Sequence, residues 1–137
     1  MSHAGKVIRL CCCMTNTFIK NDPAKALKYF EDKMAFTTGP VELNRAINDK
    51  QDLVVVDVRA AEDFEQGHIS GAVSLPRDKW SNPAGLRRDR LNIIYTYSHV
   101  CHLGAEACVE LARQGFPVME MDGGFVSWTR HNFTTVR

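Results

Sequence analysis

No stretch of this chain stays apolar for the roughly 18 residues of a membrane span, so no transmembrane helix is expected to organise it. The opening segment MSHAGKVIRLCCCMTNTF holds too short an apolar run for a secretory signal, which makes a cytoplasmic setting the default expectation. Charge of one sign is lacking too: 17 Lys and Arg against 16 Asp and Glu leave a formal net charge of +1. That balance gives neither the basic surface that binds nucleic acid or an anionic membrane nor the self-repulsion of a disordered chain. A disulfide framework is missing as well. The five cysteines are odd in number, and Cys11, Cys12 and Cys13 are adjacent. Adjacent cysteines also lack the spacing of zinc ligands, so no metal and no cofactor is expected. All five are read as reduced thiols, the triplet as small apolar filler in an N-terminal strand, KVIRLCCCM.

What is present suits one globular domain: 45% hydrophobic and 24% charged residues in 137 suffice for a single core. Asp22 and Pro23 read as an N-cap and a first helical residue, opening a helix with an apolar stripe of Ala26, Leu27, Phe30 and Met34. Gly39 and Pro40 start a shorter helix. LVVVDV, residues 53–58, is the continuous apolar run of a buried parallel strand. A short helix, AAEDFEQG, leads to a small strand in GAVSLP. After a polar, basic segment come the strand NIIYTY, a helix ending before Gly115, a strand in PVMEMDGG and a closing helical turn. Strand and helix alternate, which implies right-handed crossovers onto a mostly parallel sheet, an α/β fold.

Residues 93–116, IIYTYSHVCHLGAEACVELARQGF, read as strand, loop and helix, and the loop holds one thiol, Cys101. A parallel strand delivers such a loop to the carboxyl edge of the sheet, where ligands bind. The helix that follows turns its free first-turn amides towards the loop, and those amides favour thiolate over thiol. Cys101 is thus the candidate nucleophile, and the plain alternative is a half-buried loop residue without reactivity. A phosphatase or arsenate reductase would want an arginine about six residues after the cysteine to fork onto a tetrahedral oxyanion. Ala107 stands there beside Glu106, which disfavours phosphoryl chemistry.

VVDVRAAEDFEQGHISGAVSLP, residues 55–76, resembles the strand, helix and turn signature of rhodanese-like domains. QGFPVMEMDGGFVSW, residues 114–128, resembles their closing segment, with the cysteine loop between the two. The resemblance implies a small, mostly parallel sheet sandwiched by helices over residues 23–137, with residues 1–22 as an N-terminal extension. It also implies transfer of sulfane sulfur through a cysteine persulfide, from thiosulfate or a persulfide donor, small or protein-borne, to a thiol or cyanide. In many members the nucleophilic cysteine directly follows the strand tyrosine. After Tyr95 this chain has Thr96, which cannot carry a persulfide. The loop instead resembles a subgroup with a longer loop and a cysteine ahead of a His-Leu pair, here Cys101, His102 and Leu103. If sulfur is carried here, Cys101 carries it, and loop amides through His102, Leu103 and Gly104 would hold the persulfide anion. The alternative is a catalytically weak or inactive module that binds a protein partner.

Other candidates have duller readings beside the functional ones. Arg59 is the nearest candidate for an anion contact, against an ion pair with Asp57 that braces the turn. His68 is read as fixing a turn. Cys108 falls with Ala105, Val109 and Ala112 at helical spacing, so that face is expected in the core. Trp80 and Trp128 are read as packing, and Arg77, Lys79, Arg87, Arg88 and Arg90, diluted by Asp78 and Asp89, as a solvated face. Glu106 is the one acid in SHVCHLGAE and is expected to repel doubly charged thiosulfate, favouring a persulfide donor. The N-terminal apolar segment can pair with a sheet edge of its own chain or of a second copy, which leaves a homodimer open.

Overall fold

The computed structural model describes residues 18–137, and the strand expected over residues 6–14, with Cys11, Cys12 and Cys13, lies outside them. The chain divides into two units, Met1–Asp32 and Lys33–Arg137. Helix α1 (Pro23–Phe36) starts in the first of these. Asp22 caps it as expected, its Oδ1 accepting from the Ala24 amide at 3.0 Å. No residue of α1 is buried, so Leu27 and Phe30 of the expected stripe are exposed.

The second unit is built on five parallel strands: β1 (Thr37–Thr38), β2 (Val54–Asp57), β4 (Val73–Ser74), β5 (Asn92–Tyr95) and β6 (Val118–Met121), in the spatial order β1-β6-β5-β2-β4. Helices α2 (Pro40–Asn48), α3 (Ala61–Gln66), α4 (Leu103–Arg113) and α5 (Gly124–Arg130) connect and cover them. β3 (His68–Ile69) and β7 (Thr135–Val136) form a separate antiparallel pair. β2 and β5 lie side by side in the middle of the sheet, Val54 opposite Asn92 and Asp57 opposite Tyr95. This is the α/β architecture that the alternation of elements predicts.

Alternation along the central strands divides the core between the two faces of the sheet. Val56, Val58 and Ile94 pack with Leu75, Trp80, Ala107, Leu111 and Phe116 on the α4 side. Val55, Ile93 and Tyr95 pack with Leu43, Ile69, Met121 and Trp128 on the other. Each fully buried aliphatic side chain contributes about 1.5–3 kcal/mol, so the two clusters together hold the sheet between its helices. The tryptophans are packing residues that also bond: Trp80 Nε1 donates to Leu75 O at 3.0 Å and Trp128 Nε1 to Thr134 O at 3.1 Å.

One expectation about α4 needs correction. The buried face of α4 is Gly104, Ala107 and Leu111 with Cys108 partly buried, whereas Ala105, Val109 and Ala112 are exposed. The offsets were right but started from the wrong residue, because an alanine-rich helix shows little contrast between its faces. The basic segment before β5 is the solvated face expected of it, with Arg77, Lys79, Arg87 and Arg88 exposed and Arg90 partly buried, and its turn is held from inside. Asn92, fully buried, accepts from the Arg87 amide at 3.0 Å and donates to the carbonyls of Arg87, Arg90 and Pro117. A single amide side chain thus fixes the turn that returns the chain to the sheet.

Candidate functional site

The carboxyl ends of β2 and β5 present two neighbouring loops. After β2, Asp57 and Arg59 close on each other. The Arg59 Nη2 donates to Asp57 Oδ2 at 2.7 Å and to Gly67 O at 2.7 Å, while its Nε donates to both carboxylate oxygens at 3.1 Å. Asp57 is wholly buried and Arg59 is 4% exposed, with its guanidinium 4.0 Å from the Phe125 ring centroid. Tyr95 adds its hydroxyl, donating to Asp57 Oδ2 at 2.5 Å and accepting from the Ile69 amide at 3.1 Å. Burial and the neighbouring Asp57 charge push its phenol far above the ordinary range. The geometry of Arg59 is that of the ion pair, with Nε and Nη2 committed to Asp57 and Gly67.

The loop after β5 is rooted at Tyr97 and then rises free. The Tyr97 hydroxyl accepts from the Ala60 amide at 3.1 Å and donates to the Asp63 carboxylate, tying this loop to its neighbour. From below, the first amides of α5 reach the loop backbone: Phe125 N donates to Thr96 O at 2.7 Å and Val126 N to Tyr97 O at 3.0 Å. Only a residue without a side chain permits this approach. A Cβ on Gly124, which has φ +63°, would lie 2.6–2.7 Å from the backbone of Thr96, Tyr97 and Ser98.

Beyond Tyr97 a tight turn carries the thiol, with the Cys101 amide donating to Ser98 O at 3.2 Å. Val100 at its tip is 74% exposed and Cys101 is half-buried. Sγ of Cys101 lies 3.6 Å from Thr96 Oγ1, so the residue in the expected thiol position touches the actual one. Thr96 itself is 2% exposed. His102 is exposed and precedes α4, whose first backbone bond runs from Glu106 N to His102 O. The amides of Leu103, Gly104 and Ala105 therefore have no intrahelical partner. The structure thus brings Cys101, His102, Leu103 and Gly104 together, and places Arg59 in the neighbouring brace.

Leu103 and Tyr97 also line an open pocket of about 660 Å³ with Val58, Ala60, Pro76 and Lys79. Arg77, also on its wall, pairs with Glu106, so the charge of that acid is met by a cation. The second thiol of the region, Cys108, is pushed up to about 12 by burial and then by the charge of Glu120. Among the described residues no group of three His, Cys, Asp or Glu side chains is arranged to hold a metal ion, and no helix is long and apolar enough to cross a membrane.

Residues 39–131, well over half of the chain, match the rhodanese-like domain family. The chain belongs to that family. A sulfurtransferase of Allochromatium vinosum is 31% identical, over 69% of this chain and 88% of its own. The thiosulfate sulfurtransferase GlpE of Pseudoalteromonas translucida is 32% identical, over 69% and 90%. In three dimensions this rhodanese-like chain is similar to the BH2092 protein of Bacillus halodurans, with a TM-score of 0.79 at 28% identity, covering 84% of this chain and 86% of that one.

Two contributors to the site were not read from the sequence. Tyr97 carries an ordinary loop aromatic whose partners, Ala60 and Asp63, lie far off in the chain. Glu120 was legible in principle, since in VMEM the residue between two apolar neighbours of a central strand points to a covered face, and an acid there breaks the pattern.

Proposed function

We propose that this rhodanese-like protein is a sulfurtransferase that moves sulfane sulfur through a persulfide on Cys101. The observation that carries the reading is the placement of Cys101: a partly accessible thiol in the loop that leaves the central strand β5 and enters α4, in a family whose relatives include sulfurtransferases. In the first half-reaction the Cys101 thiolate attacks the outer sulfur of the donor, the donor's S–S bond breaks, and with thiosulfate the leaving sulfite takes the electron pair. In the second, an acceptor thiolate or cyanide attacks the outer persulfide sulfur and returns Cys101 as thiolate. The unpartnered amides of Leu103, Gly104 and Ala105 supply donors for the persulfide anion without a side-chain base. His102, exposed beside them, is free to orient a donor, and Leu103, two residues on from the thiol, lines the 660 Å³ pocket that would receive donor or acceptor. Arg59 serves by holding the Asp57 turn and the Tyr97 root in place, with its guanidinium 5.8 Å from the Tyr97 ring centroid.

The test is mass spectrometry of the protein after incubation with thiosulfate or with a low-mass thiol persulfide. The expected result is a gain of one sulfur atom on the peptide containing Cys101, lost in Cys101→Ser and kept in Cys108→Ser. Sulfur gained by the Cys101→Ser protein would overturn the assignment. An unmodified parent protein would favour the second reading, a partner-binding module, which the buried Thr96 in place of a thiol would permit.

A further inference from the structure

The loop sequence names Glu106 as the acid beside Cys101, and the structure offers a different one. Glu106 is half-exposed and paired with Arg77. Glu120 lies on β6, whose side chains alternate: Met121 packs into the core on the α5 side, while Glu120 turns with Val118 towards α4. Its carboxylate rests against the backbone of Gly104 in the first turn of α4, where a Cβ would overlap Oε2 and would stand 3.3 Å from Thr96 Cγ2. Thr96 therefore touches both neighbourhoods, its methyl towards the acid and its hydroxyl 3.6 Å from Cys101 Sγ. Among the described residues no hydrogen bond or ion pair holds the Glu120 carboxylate. A charge there meets the same helix terminus that an anion at Cys101 would use.

Resting on the persulfide reading of Cys101, we infer that Glu120 is a specificity-determining residue: its carboxylate, lodged against Gly104 under the first turn of α4, disfavours doubly charged sulfur donors at Cys101 relative to singly charged ones. It acts through its field and touches neither donor nor sulfur. Gly104 then has a second role, leaving room for the acid as well as presenting an amide. Burial raises the Glu120 carboxyl above the usual carboxylate range, Asp122 adds to this, and His102 opposes it. The remaining groups around it are Cys108 on α4 and, beyond Asp122, its ion-pair partner Lys33 at 3.5 Å. Its strand neighbours Thr37 and Ile94 carry no charge. As pH falls Glu120 takes up a proton, and the penalty on the doubly charged donor lifts.

The experiment compares thiosulfate with methanethiosulfonate, in which a methyl group replaces one charged oxygen. The thiolate attacks the outer sulfur of either, and the leaving group is sulfite or methanesulfinate. Steady-state kcat/KM is measured for both with cyanide as acceptor, from pH 5 to 8, in the parent protein, Glu120→Gln and Glu120→Asp. Glu120→Gln is expected to raise the ratio of thiosulfate to methanethiosulfonate efficiency roughly three- to tenfold at pH 8, the effect of one unit charge at close range in a partly screened site. It is also expected to flatten most of the pH dependence of that ratio, while Glu120→Asp keeps the parent profile. A ratio that stays unchanged in Glu120→Gln, with both donors gaining or losing together, would overturn the inference, since a merely structural role moves both alike. The same holds for a pH dependence of the ratio that survives intact, which would belong to a group other than Glu120. Failure of the parent protein to turn over either donor would instead remove the Cys101 reading itself, and this inference with it.

Discussion

The loops after β2 and β5 leave adjacent parallel strands at the same edge of the sheet, yet they are held in opposite ways. The β2 loop buries a full ion pair, Asp57 and Arg59, and satisfies it with the Arg59 amide, Gly67 O and the Tyr95 hydroxyl. The β5 loop has one internal turn bond beyond its root, from Cys101 N to Ser98 O, and an exposed tip at Val100. The charged loop is the brace. The loop with little charge carries the accessible thiol. Buried charges must be paired where they stand, and a paired charge has little left to offer a ligand. A thiol needs only backbone amides and access, which an open turn before a helix provides.

Removing one half of the brace should have the largest effect. Asp57→Ala leaves Arg59 charged and 4% exposed without its carboxylate partner, so a loss of about 3–5 kcal/mol in stability is expected from urea unfolding, with an m-value consistent with cooperative unfolding. A loss under about 1 kcal/mol would mean the pair is solvated and the contrast between the loops is smaller than drawn. Cys101→Ser, measured alongside, should abolish sulfur uptake yet shift stability by no more than about 0.5 kcal/mol, as expected for a partly exposed loop position.

Tyr95→Phe sharpens the comparison. It keeps the buried ring but removes the bonds to Asp57 and from Ile69 N, at a cost of about 1–3 kcal/mol. Because the Tyr95 hydroxyl holds Asp57 while its strand continues into the Cys101 loop, this variant should also slow sulfur transfer, whereas a purely local loss would change the urea midpoint alone.

The smallest effect concerns the two thiols. Cys108 is held protonated up to about 12 in the folded chain, against an ordinary value near 9. Between those values the unfolded chain releases the proton that the folded chain keeps. The contribution of Cys108 is therefore whole below about pH 9 and is lost as pH rises towards about 12. Urea midpoints measured from pH 8 to 10.5 should fall more steeply for the parent than for Cys108→Ala. Iodoacetamide at pH 8 should modify Cys101 in the folded protein and reach Cys108 only after unfolding.

Much of this was legible in the residues because it depends on local chemistry. The valine run at residues 53–58 had to be a covered strand, Asp22 and Pro23 had to start a helix, and a cysteine ahead of LGAEACVEL had to lie at a helix entrance. Of the two-residue strands, β4 was legible in GAVSLP, whereas β1, β3 and β7 were not, since two residues show no period and exist only through their partners. The buried face of α4 was misread by one step, because Ala105, Ala107 and Ala112 look alike until a sheet covers one of them.

The sequence by itself determined the order of strands and helices, the lone thiol in the loop and the absence of a second one at Thr96. These follow from periodicity, capping and residue identity along the chain. The tertiary structure decided which charges are spent and which are free. Arg59 and Glu106, both candidates by position, are committed to Asp57 and Arg77, while Glu120, 19 residues beyond Cys101 in the sequence, comes to rest against Gly104. Charges act through space, so their partners are fixed only when parallel strands bring distant segments to one edge of the sheet.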